Sequence, residues 1–203
     1  MITSSALEER RSPSELREFV IRLKQAVQAN KFERHRGHQK KGLYKQFLEE
    51  LIPLSCFATQ VYPDSYKVQP VLGNQGYDAL VWSEVGEEVD RVEITSPHDG
   101  AAEAEDLRLV VDRGYGQLHI GTPGEDFEAL FPHVLAACRK KAKKDYGGCT
   151  LVVAIAPIPP FASLEDRYEQ QIEALVGAIS RIRFKARRVF LVVLPDRVID
   201  INA

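Results

Sequence analysis

The chain has 203 residues, 44% of them hydrophobic and 28% charged, with a net charge of −2 and a pI near 6.2. That is enough length for one globular domain with a real core, and the charge balance excludes a strongly basic coat for nonspecific nucleic-acid binding. Three irregularly spaced cysteines, Cys56, Cys138 and Cys149, exclude a disulfide framework or a zinc site, and no apolar run is long enough for a membrane helix.

Residues 1–12 are polar and are expected to fray, leaving 13–203 as a single α/β domain. The amino terminus reads as no secretory signal, so a cytoplasmic location and no membrane partner are expected. "SPSELREFVIRLKQAVQAN" opens with Ser12 as N-cap and Pro13 at the first helical position, then runs Leu16, Phe19, Val20 and Leu23 at helical spacing. "KFERHRGHQKKG" is a basic connector. "LYKQFLEELI" predicts a second helix stopped at Pro53, which closes a helical lead-in over 13–52.

From residue 54 the pattern changes. "ATQVYP" and "YKVQPVL" predict extended segments, and "YDALVWS" and "DRVEIT" predict two strands about a "GEE" turn. Leu107, Val110 and Val111 predict a short helix closed by Gly114, and "GQLHIG" a brief strand. "DFEALFPHVLAACRKKAKKDY" is a longer helix that Pro132 either starts or kinks. "TLVVAIAP" is apolar throughout, as for a central strand covered on both faces. A helix and a last apolar strand, "RRVFLVVLP", complete the chain over 164–195. Short turns imply antiparallel pairing before residue 96, and helical connections imply parallel crossovers after it. The expected architecture is a mixed central β-sheet flanked by helices.

Two acids lie inside this pattern. Asp78 opens the strand "YDALVW", and Glu93 sits in "RVEIT" with Thr95 on its own face and Val92 and Ile94 on the other. Burying an unpaired charge is costly, so such acids need a partner. Carboxylates on neighbouring strands can converge within bridging range of a hard divalent cation.

"YDALV…VEIT" resembles the core of the restriction-endonuclease-like, or PD-(D/E)XK, superfamily, in which an Asp begins the second core strand and Glu-X-Lys lies on the third. The resemblance covers roughly residues 14–156, with the nuclease-like core over 54–156. It implies a phosphodiester hydrolase that uses Mg²⁺ or Mn²⁺, with Asp78 and Glu93 as metal ligands and nucleic acid as partner. Thr95 stands where the family has its lysine and cannot supply the charge. On the helix before "TLVVAIAP", Phe127, Leu130, Phe131, Val134, Leu135 and Cys138 form an apolar stripe, and Lys141 falls within it. Lys141 is therefore the candidate for the displaced catalytic lysine, with Lys144 at the stripe's edge. Thr95, Lys144 and His98 are the candidates for contact with substrate.

Each of these residues also has a structural explanation. A strand acid can be salt-bridged, Thr95 can serve β-propensity, and Lys141 can snorkel. "HRGH" reads as a solvated loop, and neither a P-loop nor a G-x-S-x-G motif is present. Two readings stay open, a nuclease and a catalytically inactive nuclease-fold binding or assembly module, and a homodimer fits either.

Overall fold

The computed structural model describes residues 2–29, 42–73, 75–97, 123–156 and 165–201. Its helices are α1 (Ser4–Leu7), α2 (Pro13–Ala29), α3 (Leu43–Gln46), α4 (Ile52–Val61), α5 (Pro123–Ala142) and α6 (Glu165–Ser180), with a π-helical turn over Phe47–Leu51 between α3 and α4. Its strands are β1 (Lys67–Pro70), β2 (Ala79–Trp82), β3 (Glu88–Thr95), β4 (Asp145–Ile155), β5 (Lys185–Val193) and β6 (Arg197–Asp200). They form one mixed sheet in the order β1-β2-β3-β4-β5-β6. The β1–β2 and β2–β3 pairs are antiparallel, and β3–β4 and β4–β5 are parallel, as the connections require.

Alternation along β4 builds both layers. Val152 and Ala154 join Val92, Ile94, Phe190 and Val192 in a core with Leu16, Val20, Phe47 and Phe57 of the leading helices. Leu151, Val153 and Ile155 face the other way, onto Phe127, Val134 and Cys138 of α5 and Ile172, Leu175 and Ile179 of α6. Apolar burial on both faces explains the unbroken apolar runs of β4 and β5. Pro132 lies inside α5.

Three expectations need correction. The amino-terminal residues do not fray. Ile2 and Leu7 are buried, and Arg11 bonds in both directions with Val68 (3.0 and 2.7 Å), which extends the sheet beyond β1. Ser12 and Glu15 then form a reciprocal capping box on α2, with Ser12 N–H donating to Glu15 Oε2 (2.7 Å) and Glu15 N–H to Ser12 Oγ (3.3 Å).

The second helix does not stop at Pro53, and "ATQV" is not extended. The helical path runs on to Val61, because Pro53 falls in the first turn of α4, where its missing N–H costs little. The π turn just before it widens the helix where a proline ring crowds the carbonyl four residues back. It is Pro63 that ends the helix: the residue before a proline is driven out of the helical region, and Tyr62 is extended at φ −114°, ψ 144°.

Finally, β5 is not the last strand. Phe190 to Val193 pair antiparallel with Asp200 to Arg197 of β6. The elements expected around residues 107–114 and 117–120 lie outside the described residues.

Candidate active site

Asp78 is pinned at the entry to β2 by backbone and side chain together. Its N–H donates to Val92 O (2.7 Å), its carbonyl accepts from Val71 N–H (2.9 Å), and its Oδ2 accepts from Ile94 N–H (2.7 Å). Ala79 pairs with Val92, so Asp78 lies beside the end of β3 that carries Glu93. The charges of both Glu93 and Lys141 act on the Asp78 carboxyl, so the three groups lie near one another at this end of the sheet.

Lys141 joins them from α5. Its ammonium forms an ion pair with Glu93 Oε1, and its side chain is only 18% exposed. The ammonium also lies 5.7 Å from the ring centroid of Tyr146, a cation–π distance. The Tyr146 hydroxyl donates to the same Glu93 Oε1 at 3.4 Å. Tyr146 is buried beside Gly147–Gly148, where the β4–β5 register slips between Tyr146 and Thr150. Such a bulge re-aims the side chains next to it.

A third carboxylate, Glu50, approaches from the leading-helix layer on the π turn. It and Asp78 line one small crevice, ≈ 10 Å³ or about one water, with Leu7, Leu51 and Leu54. Burial pushes the Glu50 carboxyl up to about 7, and the charges of Asp78 and Glu49 add to the shift. Burial likewise raises Asp78 to about 6; the Ile94 N–H opposes this, while Glu93 reinforces it. Burial alone lowers Lys141, but its bond to Glu93 and the charges of Glu93, Tyr146 and Asp78 outweigh that and hold it above its ordinary value.

On the far side of Lys141 lies a larger cavity of ≈ 270 Å³, lined among others by Thr95, Ser96, Ala137, Lys140, Lys141 and Lys144. Thr95 and Lys144 thus share one space, and Lys141 connects it to the acids. His98 lies outside the described residues.

Glu50, Tyr146 and Lys140 were not singled out from the sequence. Glu50 had a signal: it follows Phe47 by three residues and precedes Leu54 by four, which puts it on a buried helical stripe. Lys140 points away from the apolar helical stripe that marks Lys141, so helical spacing gave no sign of its place on the cavity.

Among the described residues, no group of three or more His, Cys, Asp or Glu side chains is gathered closely enough to hold a metal ion. None of the helices described is long and apolar enough to cross a membrane. No protein-family model, curated protein or solved structure matches the chain.

Proposed function

We propose that the chain is a divalent-cation-dependent hydrolase of nucleic-acid phosphodiester bonds, built on a restriction-endonuclease-like core. The observation that carries this reading is the proximity of Asp78, at the entry to β2, to Glu93 of β3 and Lys141 of α5, the last two joined in a partly buried ion pair. Those elements follow in the order the resemblance requires, and Lys141 brings from the helix the cation that Thr95 lacks. The donor chemistry suits a hard ion, since two carboxylates, Asp78 and Glu93, lie beside the Lys141 ammonium.

Asp78 and Glu93 would hold Mg²⁺ or Mn²⁺, with Glu50 close by. Asp78 Oδ2 is committed to Ile94 N–H, which leaves Oδ1 for the ion. Glu93 Oε1 is committed to Lys141 and Tyr146, which leaves Oε2. When bound, such an ion lowers the pKa of its water and offsets charge developing on the phosphate. Lys141 donates to an oxygen of the scissile phosphate or to the attacking water, and the Thr95 hydroxyl and Lys144 ammonium hold an adjoining part of the substrate from the neighbouring cavity. The burial of Lys141 and Glu93 limits the screening of that pair by bulk water.

The test is cleavage of plasmid, single-stranded DNA and RNA with Mg²⁺ or Mn²⁺. Asp78→Ala is expected to abolish it with the fold intact, and Lys141→Met to slow it by about 10²–10³-fold. Cleavage that persists in purified Asp78→Ala protein refutes the assignment.

A second reading is a binding or assembly module that keeps this fold without catalysis. Two observations favour it: Thr95 in the lysine position, and the lack of a ready-gathered ligand group among the described residues. Calorimetric titration with Mn²⁺ separates the readings, because a module that has lost the site binds no metal near neutral pH.

A further inference from the structure

The 270 Å³ cavity beyond Lys141 has a composition unlike the acid cluster. It is far roomier than the one-water crevice beside Asp78 and leaves ample space for a phosphate group and what it is attached to. Two of its lysines, Lys140 and Lys144, make no ion pair among the described residues, whereas Lys141 is already neutralised by Glu93. The Thr95 hydroxyl likewise has no partner among the described residues, and β3 holds it at the cavity wall. Two exposed ammonium groups and one hydroxyl donor, none with a partner among the described residues, thus border one open space that admits a phosphate group.

The charge count discriminates between ligands. An internal phosphodiester carries one negative charge, but a phosphate monoester carries about −1.5 to −2 at pH 7 and presents three acceptor oxygens. Two free lysines match the monoester, and charge-assisted bonds of this kind are the strong ones.

We propose that this cavity binds the phosphate monoester of a nucleotide and, given the hydrolase reading on which this step rests, the phosphorylated end of a strand whose first linkage then lies toward Lys141. The enzyme would accordingly prefer ends to strand interiors. A 5′- or 3′-phosphorylated end and a free nucleoside monophosphate share the recognised group.

Binding measured without metal tests the site apart from catalysis. Fluorescence anisotropy in EDTA compares short single strands carrying a 5′-phosphate, a 3′-phosphate or hydroxyls at both ends, with a nucleoside monophosphate as competitor. One phosphorylated end is expected to bind about tenfold or more tighter than the hydroxyl-ended strand. Lys140→Gln/Lys144→Gln is expected to erase that preference. Arg139→Gln/Lys143→Gln removes equal charge from the same exposed helix end without touching the cavity, and is expected to keep it.

Equal affinity for phosphorylated and hydroxyl-ended strands overturns the proposal, as does a preference lost equally in both double variants. If free nucleotides bind with the same lysine dependence while strands do not, the phosphate site stands and the hydrolase reading falls. If no phosphorylated species is preferred but circular plasmid is still cleaved with Mg²⁺, the hydrolase reading stands and this site falls.

Discussion

The hydroxyl of Ser96 donates a 2.6 Å hydrogen bond to the main-chain carbonyl of Glu49, joining the end of β3 to the π turn. In an α-helix that carbonyl would accept from the N–H of residue 53, and Pro53 has none. The proline therefore does two things: it forces the wide turn that carries Glu50, and it frees the acceptor that ties this turn to the strand carrying Glu93 and Thr95. Two distant segments share one anchor beside the acids.

Ser96→Ala is expected to cost about 1–2 kcal/mol, because it strands a partly buried carbonyl. Pro53→Ala restores an N–H at position 53, so Ser96→Ala should cost less in that background. Urea melts of the two single variants and the double variant measure the coupling. Strictly additive effects would show that Ser96 and Pro53 do not act on one carbonyl.

Stability should fall with rising pH in a way that belongs to Glu50 and Asp78. A carboxyl that holds its proton more tightly folded than unfolded contributes stability below its ordinary pKa and loses it as pH rises through the folded value. For Glu50 that window runs from 4.5 to about 7, and for Asp78 from 3.8 to about 6. Glu50→Gln should therefore stabilise the fold at pH 8 by ~1–2 kcal/mol once the solvent reaching this half-buried group is allowed for, and raise the melting temperature accordingly. At pH 4 it should do almost nothing. A stabilisation equal at both pH values would mean that Glu50 is not the titrating group.

A second buried acid, Asp90, shows what an acid on this sheet looks like when its role is to hold the fold together. It lies on the opposite face of β3 from Glu93. Its Oδ2 accepts from the Tyr62 hydroxyl (2.6 Å), Thr150 Oγ1 (2.8 Å) and Arg187 Nη2 (2.8 Å). The Asp90 side chain is 2% exposed, whereas Arg187 is 46% exposed. Arg187→Met leaves the carboxylate buried without its cation and is expected to destabilise the fold by about 3 kcal/mol, with Tyr62→Phe costing about 1 kcal/mol. Chemical denaturation checks both. Neither change should alter divalent-metal binding, because neither residue reaches Asp78 or Glu93.

What could be read in the sequence depended on how strongly each segment's neighbours constrain it. β4 and β5 were legible because burial on both faces leaves an unbroken apolar run. That Asp78 and Glu93 lie on neighbouring strand segments was legible because a short turn joins the two runs. Lys141 was legible because a cation on an apolar helical stripe has few places to go. Glu50 was missed with the helix that carries it: Pro53 reads as a stop unless one knows that the preceding turn widens. β6 was missed because its four residues are all half-buried and carry no alternation. The amino-terminal residues look polar because Ile2 and Leu7 are single anchors, and no periodic stripe marks them.

The last prediction joins the acids to their proposed ion. A ligand that binds only the folded chain stabilises it by about 2.7 kcal/mol at a hundred times its Kd. For a domain of this size each kcal/mol shifts the melting temperature by roughly 2–4 °C, so saturating Mn²⁺ at pH 8 should raise it by about 5–10 °C. Asp78→Asn should remove the rise, since the amide keeps an acceptor for Ile94 N–H but loses the charge. The dependence on pH runs opposite to that of the metal-free protein. Protons compete for Asp78 below about 6 and for Glu50 below about 7, so the Mn²⁺-induced shift should shrink toward pH 5. A shift of the same size at pH 5 and pH 8, or one that survives Asp78→Asn, would place the ion elsewhere on the molecule and leave Lys141 and Glu93 as an ordinary buried ion pair.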